Sequence, residues 1–392
     1  MRKRPRPLSK PAMCLSSPLA PSSGDLAIVL SGGGARAAYQ VGAFKALESY
    51  LDLQAQPIAT IIGSSIGAVN GVIFGACLKS GYSDAVTELS TLWRERTFRN
   101  SFAGSPSRSF LKAILVATAQ WRSPGLTASE MAIFDPTPLM NRVDALIKGY
   151  GSLRPEERHP NLKNVAVMTT LEGPTREPLL FLSSHKKASS ENMVGASFEI
   201  CYVESITAKH AFASAALPSI LPPVKISTEE GSLQLIDGGI AQNHPVDPAV
   251  RLGAERVILI DVSGRDWWFN LYGTAHDTAP DWEVKAEPDT YCLRPNDYFL
   301  SRCMTALGPI LKEAVGRSTK RFISSVGPVW PLYTLLRKKC GEAVAYEVMS
   351  YVALDEEYIN ALIERGFHET TILLKKRAAQ QCEEDLTTRQ VC

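Results

Sequence analysis

Ser65 stands at the centre of Gly63, Ser64, Ser65, Ile66 and Gly67, a match to the G-x-S-x-G pattern. The apolar run Pro57 to Ile62 precedes it, and an apolar run of helical spacing, Ala68 to Lys79, follows. That context predicts a sharp strand-to-helix turn. A serine held there projects its hydroxyl clear of both elements, where it can act as a nucleophile. The flanking Gly63 and Gly67 let backbone pack where a Cβ would collide. The helix also points its N-terminal N–H groups and positive dipole end at the serine. Ser65 is preferred to Ser64 because it is the middle residue of the pattern. The same five residues would also suit an ordinary glycine-rich turn.

A second group, Ser31, Gly32, Gly33, Gly34, Ala35 and Arg36, lies between an apolar run and a helical pattern. Successive glycines leave backbone N–H groups free to converge on an anion. Ester hydrolysis passes through a tetrahedral oxyanion, and removing one such donor typically costs about 10²–10³ in rate. Arg36 adds positive charge at the mouth of this turn. The rival reading is a dinucleotide site, because Gly32, Gly34 and Ala37 satisfy the relaxed G-x-G-x-x-G/A spacing. Glu48 and Asp52 come too early for the ribose-binding acid of that fold, about 20 residues on. A turn that only packs tightly is the third alternative.

A serine hydroxyl must lose its proton to attack, and histidine is the usual acceptor. The six histidines are His159, His185, His210, His244, His276 and His368, and none has an obvious triad context. Only His244 lies near another motif: Leu235, Ile236, Asp237, Gly238 and Gly239, followed by Asn243, His244 and Pro245. A strand delivers Asp237 into a Gly-Gly turn, where its carboxylate can approach another backbone. Such a carboxylate can serve as base if partial desolvation raises its pKa. The plain alternative is an aspartate that forms the turn.

The elements that must position these groups follow from hydrophobic pattern. Leu26 to Leu30, Pro57 to Ile62, Asn164 to Leu171, Leu179 to Leu182, Gln234 to Ile236 and Arg256 to Val262 read as strands. Helices are expected over 35–51, 68–79, most of 82–149, 206–216, 246–252, 298–325 and 355–377. Two strand–turn–helix units in succession indicate an α/β domain with a mostly parallel sheet. In such sheets, functional groups gather at the carboxyl ends of the strands. Residues 263–298 read as a loop-rich, lid-like excursion. Its Trp267, Trp268, Phe269, Leu271 and Tyr272 suit acyl-chain contact and core burial equally.

Composition narrows the partners. The 392-residue chain is 45% hydrophobic with net charge +2, so no global field selects for nucleic acid. Its eight cysteines are scattered without CxxC, which suits reduced thiols in the cytoplasm. No metal-ligand spacing appears, and no cofactor is expected. Residues 1–24 form a basic, Pro/Ser-rich tail expected to be disordered, with no apolar signal-peptide core. No apolar stretch reaches the ~18 residues of a membrane span. Membrane contact, if any, is therefore transient and peripheral.

With these residues in view, the chain resembles the patatin-like phospholipases. The resemblance rests on Gly32–Arg36, on the Gly63–Gly67 elbow and on Asp237, Gly238 and Gly239 with the trailing Asn243 and Pro245. A fourth block runs from Ala213 through Pro218 to Pro222, Pro223 and Val224. The resemblance implies a three-layer α/β/α fold and a Ser65–Asp237 dyad without histidine. It implies an oxyanion site at Gly32, Gly33 and Gly34 with Arg36 nearby, no metal, and a lipid ester substrate such as a phospholipid or lysophospholipid. Some members of the family need a protein activator, which stays open here. His244 falls where the family varies, and could tune the base. The expected division is a tail (1–24), a catalytic domain (25–264) and a loop-rich, helical extension packed on it (265–392). The competing functions are a lipid- or membrane-binding protein without turnover and a nucleotide-binding oxidoreductase.

Overall fold

A computed structural model describes residues 24–51, 57–122, 132–228, 231–263 and 295–391. The basic tail before Gly24 and the tryptophan-containing part of the 263–298 segment lie outside the described residues. The protein is mixed α/β, with a mostly parallel central sheet and helices on both faces. The strands are β1 (Leu26–Leu30), β2 (Ile58–Ser64), β3 (Asn164–Leu171), β4 (Pro178–Ser184), β5 (Glu199–Tyr202), β6 (Val224–Thr228), β7 (Gly231–Ile236), β8 (Arg256–Asp261) and β9 (Asp297–Arg302). Across the sheet they run β5-β4-β3-β2-β1-β8-β9. Strands β3, β2, β1, β8 and β9 are mutually parallel, whereas β4 runs antiparallel to β3. The β6–β7 hairpin joins through a short antiparallel pairing of β7 with the end of β3, Thr170 opposite Ile236.

Every residue of β1 and β2 is buried, as expected for strands covered on both faces. The period of two sends alternate residues into two cores. Leu26, Ile28 and Leu30 join one, with Phe44, Ile73 and Phe74. Ala27 and Val29 join the other, with Val246 and Ala249. The helices are α1 (Ala38–Glu48), α2 (Ile66–Cys77), α3 (Tyr82–Glu95), α4 (Phe98–Ser101), α5 (Pro106–Arg122), α6 (Thr137–Gly149), α7 (Ala208–Ser214), α8 (Val246–Arg251), α9 (Gly308–Val315), α10 (Thr319–Val326), α11 (Trp330–Cys340), α12 (Glu342–Met349) and α13 (Glu356–Val391). No described helix is long and apolar enough to cross a membrane.

One expectation is corrected by tertiary pairing. The helix predicted over 298–325 is absent at its start, where residues 297–302 form β9. Tyr298, Phe299 and Leu300 make too short an apolar run for periodicity to decide between helix and strand. Pairing with β8 decides it: Phe299 lies opposite Ile258, and buried Ser301 bonds Thr370 of α13 at 2.6 Å. The short strands β5 and β6 also escaped the pattern, because all their residues but Ile226 are half-buried or exposed. α13 crosses α1 so closely that a Cβ on Gly42 or Gly366 would strike a carbonyl of the facing helix. The described chain from residue 295 onward thus shares both the sheet and the core.

Candidate active site

β2 ends at Ser64, and the backbone reverses at Ser65 with φ +53° and ψ −134° before α2 begins. Holding a non-glycine residue there costs about 1–3 kcal/mol, so its surroundings must enforce it. A Cβ on Gly63 would strike Ala68, and one on Gly67 would lie 2.5 Å from the Ser31 carbonyl. The elbow therefore fits only glycine at both flanks. The Ser65 N–H donates to Ser214 Oγ at 2.7 Å, and Ser214 donates to the Met168 carbonyl at 2.5 Å. Ser214 comes from the small-residue block in α7, which explains why that block sits against the elbow.

Ser65 Oγ donates to Asp237 Oδ2 at 2.5 Å, across 172 positions of sequence. β7 delivers the aspartate beside the end of β3, where Thr170 Oγ1 donates to its carbonyl at 2.8 Å. Its other carboxylate oxygen accepts the Gly239 N–H at 2.8 Å. The residue is 4% exposed. Burial pushes its pKa from 3.8 up to about 6, against the lowering effect of the Ser65 and Gly239 hydrogen bonds.

The glycine turn meets this pair from β1. A Cβ on Gly32 would fall 2.5 Å from Ser65 Cβ and 2.7 Å from Asn243 Oδ1. The structure divides the three glycine amides. The Gly32 N–H donates to Asn243 Oδ1 at 2.9 Å, so it is already engaged. Those of Gly33 and Gly34 have no hydrogen-bond acceptor among the described residues. Gly34 has φ +60°, which favours glycine. Beneath the turn, Gln40 Nε2 donates to the Ser31 carbonyl at 2.9 Å, Asn70 donates to Gln40 Oε1 at 2.8 Å, and Trp93 donates to Asn70 at 2.9 Å.

The family model of the patatin-like phospholipases matches residues 28–250, which span all of these groups. The chain belongs to the patatin-like phospholipases. Among curated proteins it is 27% identical over 241 residues to patatin-like phospholipase domain-containing protein 7 of Mus musculus, and 26% identical to that of Rattus norvegicus. The match covers 62% of this chain but only 14% of each relative's length. Among solved structures it is similar to human GIVD cytosolic phospholipase A2, with a TM-score of 0.41 and 12% identity, over 91% of this chain and 60% of that one. It is also similar to VipD from Legionella pneumophila, with a TM-score of 0.37 and 13% identity, over 91% and 68%.

Two sequence expectations change within this patatin-like site. Arg36 does not direct its charge at the mouth of the glycine turn. Its guanidinium is fully buried and donates to Ser350 Oγ at 2.8 Å, to the Ser263 carbonyl at 3.1 Å and to Glu347 Oε1 at 2.6 Å. A charge this deep must be paired, and its partner lies more than 300 positions away, beyond the reach of motif spacing. His244, next, faces Asp261 rather than the Asp237 carboxylate, with Nε2 2.9 Å from Asp261 Oδ1.

Asp261 ends β8 and also accepts from Ser31 Oγ at 3.0 Å, the Ser263 N–H at 2.9 Å and Ser263 Oγ at 2.7 Å. Burial raises its pKa, but His244 and the Ser263 bonds outweigh that and hold the carboxyl well below the usual range. Asp261 was not singled out from the sequence, and Ser31 appeared there only as the first residue of the glycine turn. The signal was present: Asp261, like Asp237, is an acid at the carboxyl end of an apolar strand.

Proposed function

We propose that this chain is a carboxylic ester hydrolase acting on phospholipids or lysophospholipids, with Ser65 as nucleophile and Asp237 as general base. The observation that carries the reading is the 2.5 Å contact between Ser65 Oγ and Asp237 Oδ2. Asp237 takes the hydroxyl proton as Oγ attacks the acyl carbonyl. The unengaged Gly33 and Gly34 amides receive the developing oxyanion. Collapse expels the alcohol, which takes the proton back from Asp237 and leaves an acyl-enzyme. Asp237 then deprotonates water, which attacks the ester carbon. Ser65 departs with the proton. A carboxyl titrating near 6 is ionised at neutral pH, yet basic enough to accept a proton in the transition state.

A lipid substrate suits the surroundings. The Asp237 N–H donates to the Ala216 carbonyl, and the next residue, Leu217, is an exposed apolar side chain. Leu217, with Ile220 and Leu221 close behind, gives an acyl chain an apolar lip beside the base. Contact with the membrane is transient, and a protein activator is compatible with this arrangement.

A fluorophosphonate probe tests the reading. Wild type is expected to label and Ser65→Ala to remain unlabelled. Product analysis on a defined phospholipid and lysophospholipid panel then gives the bond cleaved. Lipid binding without labelling or product would replace the hydrolase by a binding protein.

A further inference from the structure

The glycine turn is held from two sides. Asn243, within the region matched by the family model, holds Gly32. The other side is held from a segment far beyond that region, the end of α12 and the turn after it. The Ala35 N–H donates to the Tyr351 carbonyl at 2.7 Å. That carbonyl lies so close to Gly34 that a Cβ there would collide with it. The Arg36 guanidinium lies 3.7 Å from the centroid of the Tyr351 ring. Its Nε donates to Ser350 Oγ at 2.8 Å. Its Nη2 donates to the Glu347 carbonyl at 2.9 Å and to Glu347 Oε1 at 2.6 Å. Glu347 is fixed in turn from α9, accepting the Leu307 N–H at 3.3 Å and the Gly308 N–H at 2.5 Å.

We propose that Glu347, acting through Arg36, is a positioning residue for the Gly33 and Gly34 amides, and that residues 347–351 complete the oxyanion site from outside the matched region. A charge-assisted bond to a planar guanidinium fixes direction as well as distance. Arg36 is two residues from Gly34, and Ala35 between them is tied to Tyr351. The orientation of both unengaged amides therefore follows the placement of this segment. Donor alignment matters steeply, since a misplacement of about 1 Å can cost about 10² in rate. Arg36 on this view serves the turn as a strut, and does not touch substrate.

The kinetic arm of the test rests on the proposed hydrolase reading, and a second arm does not. Glu347→Gln keeps shape and removes the charge. Ser350→Ala, a milder change, covers the case in which Glu347→Gln fails to fold. Arg321→Ala is the control. It breaks an ion pair with Asp355 in the same extension, remote in sequence from the turn. Initial rates on a soluble ester, well below each melting temperature, are expected to show kcat lowered about 10²-fold for Glu347→Gln and KM little changed. Ser350→Ala should lose several-fold, and Arg321→Ala should keep wild-type kcat. Hydrogen exchange of a peptide covering 30–38 should quicken in Glu347→Gln and Ser350→Ala but not in Arg321→Ala.

Quickened exchange in an enzyme that hydrolyses no ester even as wild type would leave the positioning role standing and sink the hydrolase. Wild-type kcat and wild-type exchange in both Glu347→Gln and Ser350→Ala would overturn the positioning role. Equal loss of kcat in Arg321→Ala would reduce the effect to general stability and overturn it as well.

Discussion

Two aspartates, one buried and one half-buried, end separate strands of the same sheet and are wired in opposite ways. Asp237, at the end of β7, has two carboxylate donors: the Ser65 hydroxyl and the Gly239 N–H. Asp261, at the end of β8, gathers four around one oxygen, from Ser31, His244 and twice from Ser263. Both lose water, which favours the neutral acid. At Asp237 desolvation wins and the pKa rises to about 6; at Asp261 the donors win and the carboxyl is held low. Burial alone therefore does not make a base. The number and charge of the donors decide whether a buried carboxylate can take up a proton or stays a fixed anion.

The sharpest break of this comparison is by substitution at the pair itself. Ser65→Ala should abolish labelling and lower kcat by about 10⁴-fold or more. Asp237→Asn should lower it by roughly 10²–10⁴. Both should keep wild-type far-UV circular dichroism. Asp261→Asn should act mainly on stability, lowering it by about 2–3 kcal/mol through lost charge-assisted bonds, as read by urea melts. If Asp261→Asn cost as much kcat as Asp237→Asn, the division between base and fixed anion would fall.

Next in size is Gly32→Ala, whose methyl would meet Ser65. It should cost about 10²–10³ in kcat, the scale of losing an oxyanion donor.

A pH series sharpens the contrast further. kcat/KM should rise about tenfold per unit toward pH 6 and level off above it, as Asp237 ionises. For stability, Asp237 binds its proton more tightly in the folded chain than in the unfolded one. Its contribution therefore falls as pH rises from about 4 through 6, by roughly 2–3 kcal/mol in all. Asp261 has the opposite sign. Its contribution is complete above the ordinary carboxylate range and falls as pH drops through that range, where the unfolded chain takes up a proton that the folded carboxyl still refuses. Subtracting the melts of Asp237→Asn and Asp261→Asn from wild type across pH 3–8 should give slopes of opposite sign. The smallest effect is expected for His244→Ala, within about threefold of wild-type kcat, because its bond is to Asp261. A loss near that of Asp237→Asn would return the base to histidine.

Much of the site was legible in the sequence because its motifs are local. Gly63 to Gly67, Gly32 to Gly34 and Asp237 to Gly239 each encode a turn whose backbone needs those residue types. Apolar runs fixed β1, β3 and β8 nearly to the residue. Arg36 was misread because its position in a glycine turn suggested an outward charge, whereas its direction is set by Glu347 and Ser350. The β9 strand was misread for a related reason, since Tyr298 to Leu300 take on strand character only against β8.

The sequence by itself determined which turns form, which strands are covered on both faces, and that a serine and an aspartate would each stand at the end of a strand. Those properties depend on residues within a few positions of one another. Tertiary structure alone decided that the two side chains meet, at which aspartate desolvation outweighs the donors, and that a glutamate from the C-terminal helices braces the turn. These depend on distance through space, where burial and donor count are properties of the assembled chain and of no single segment.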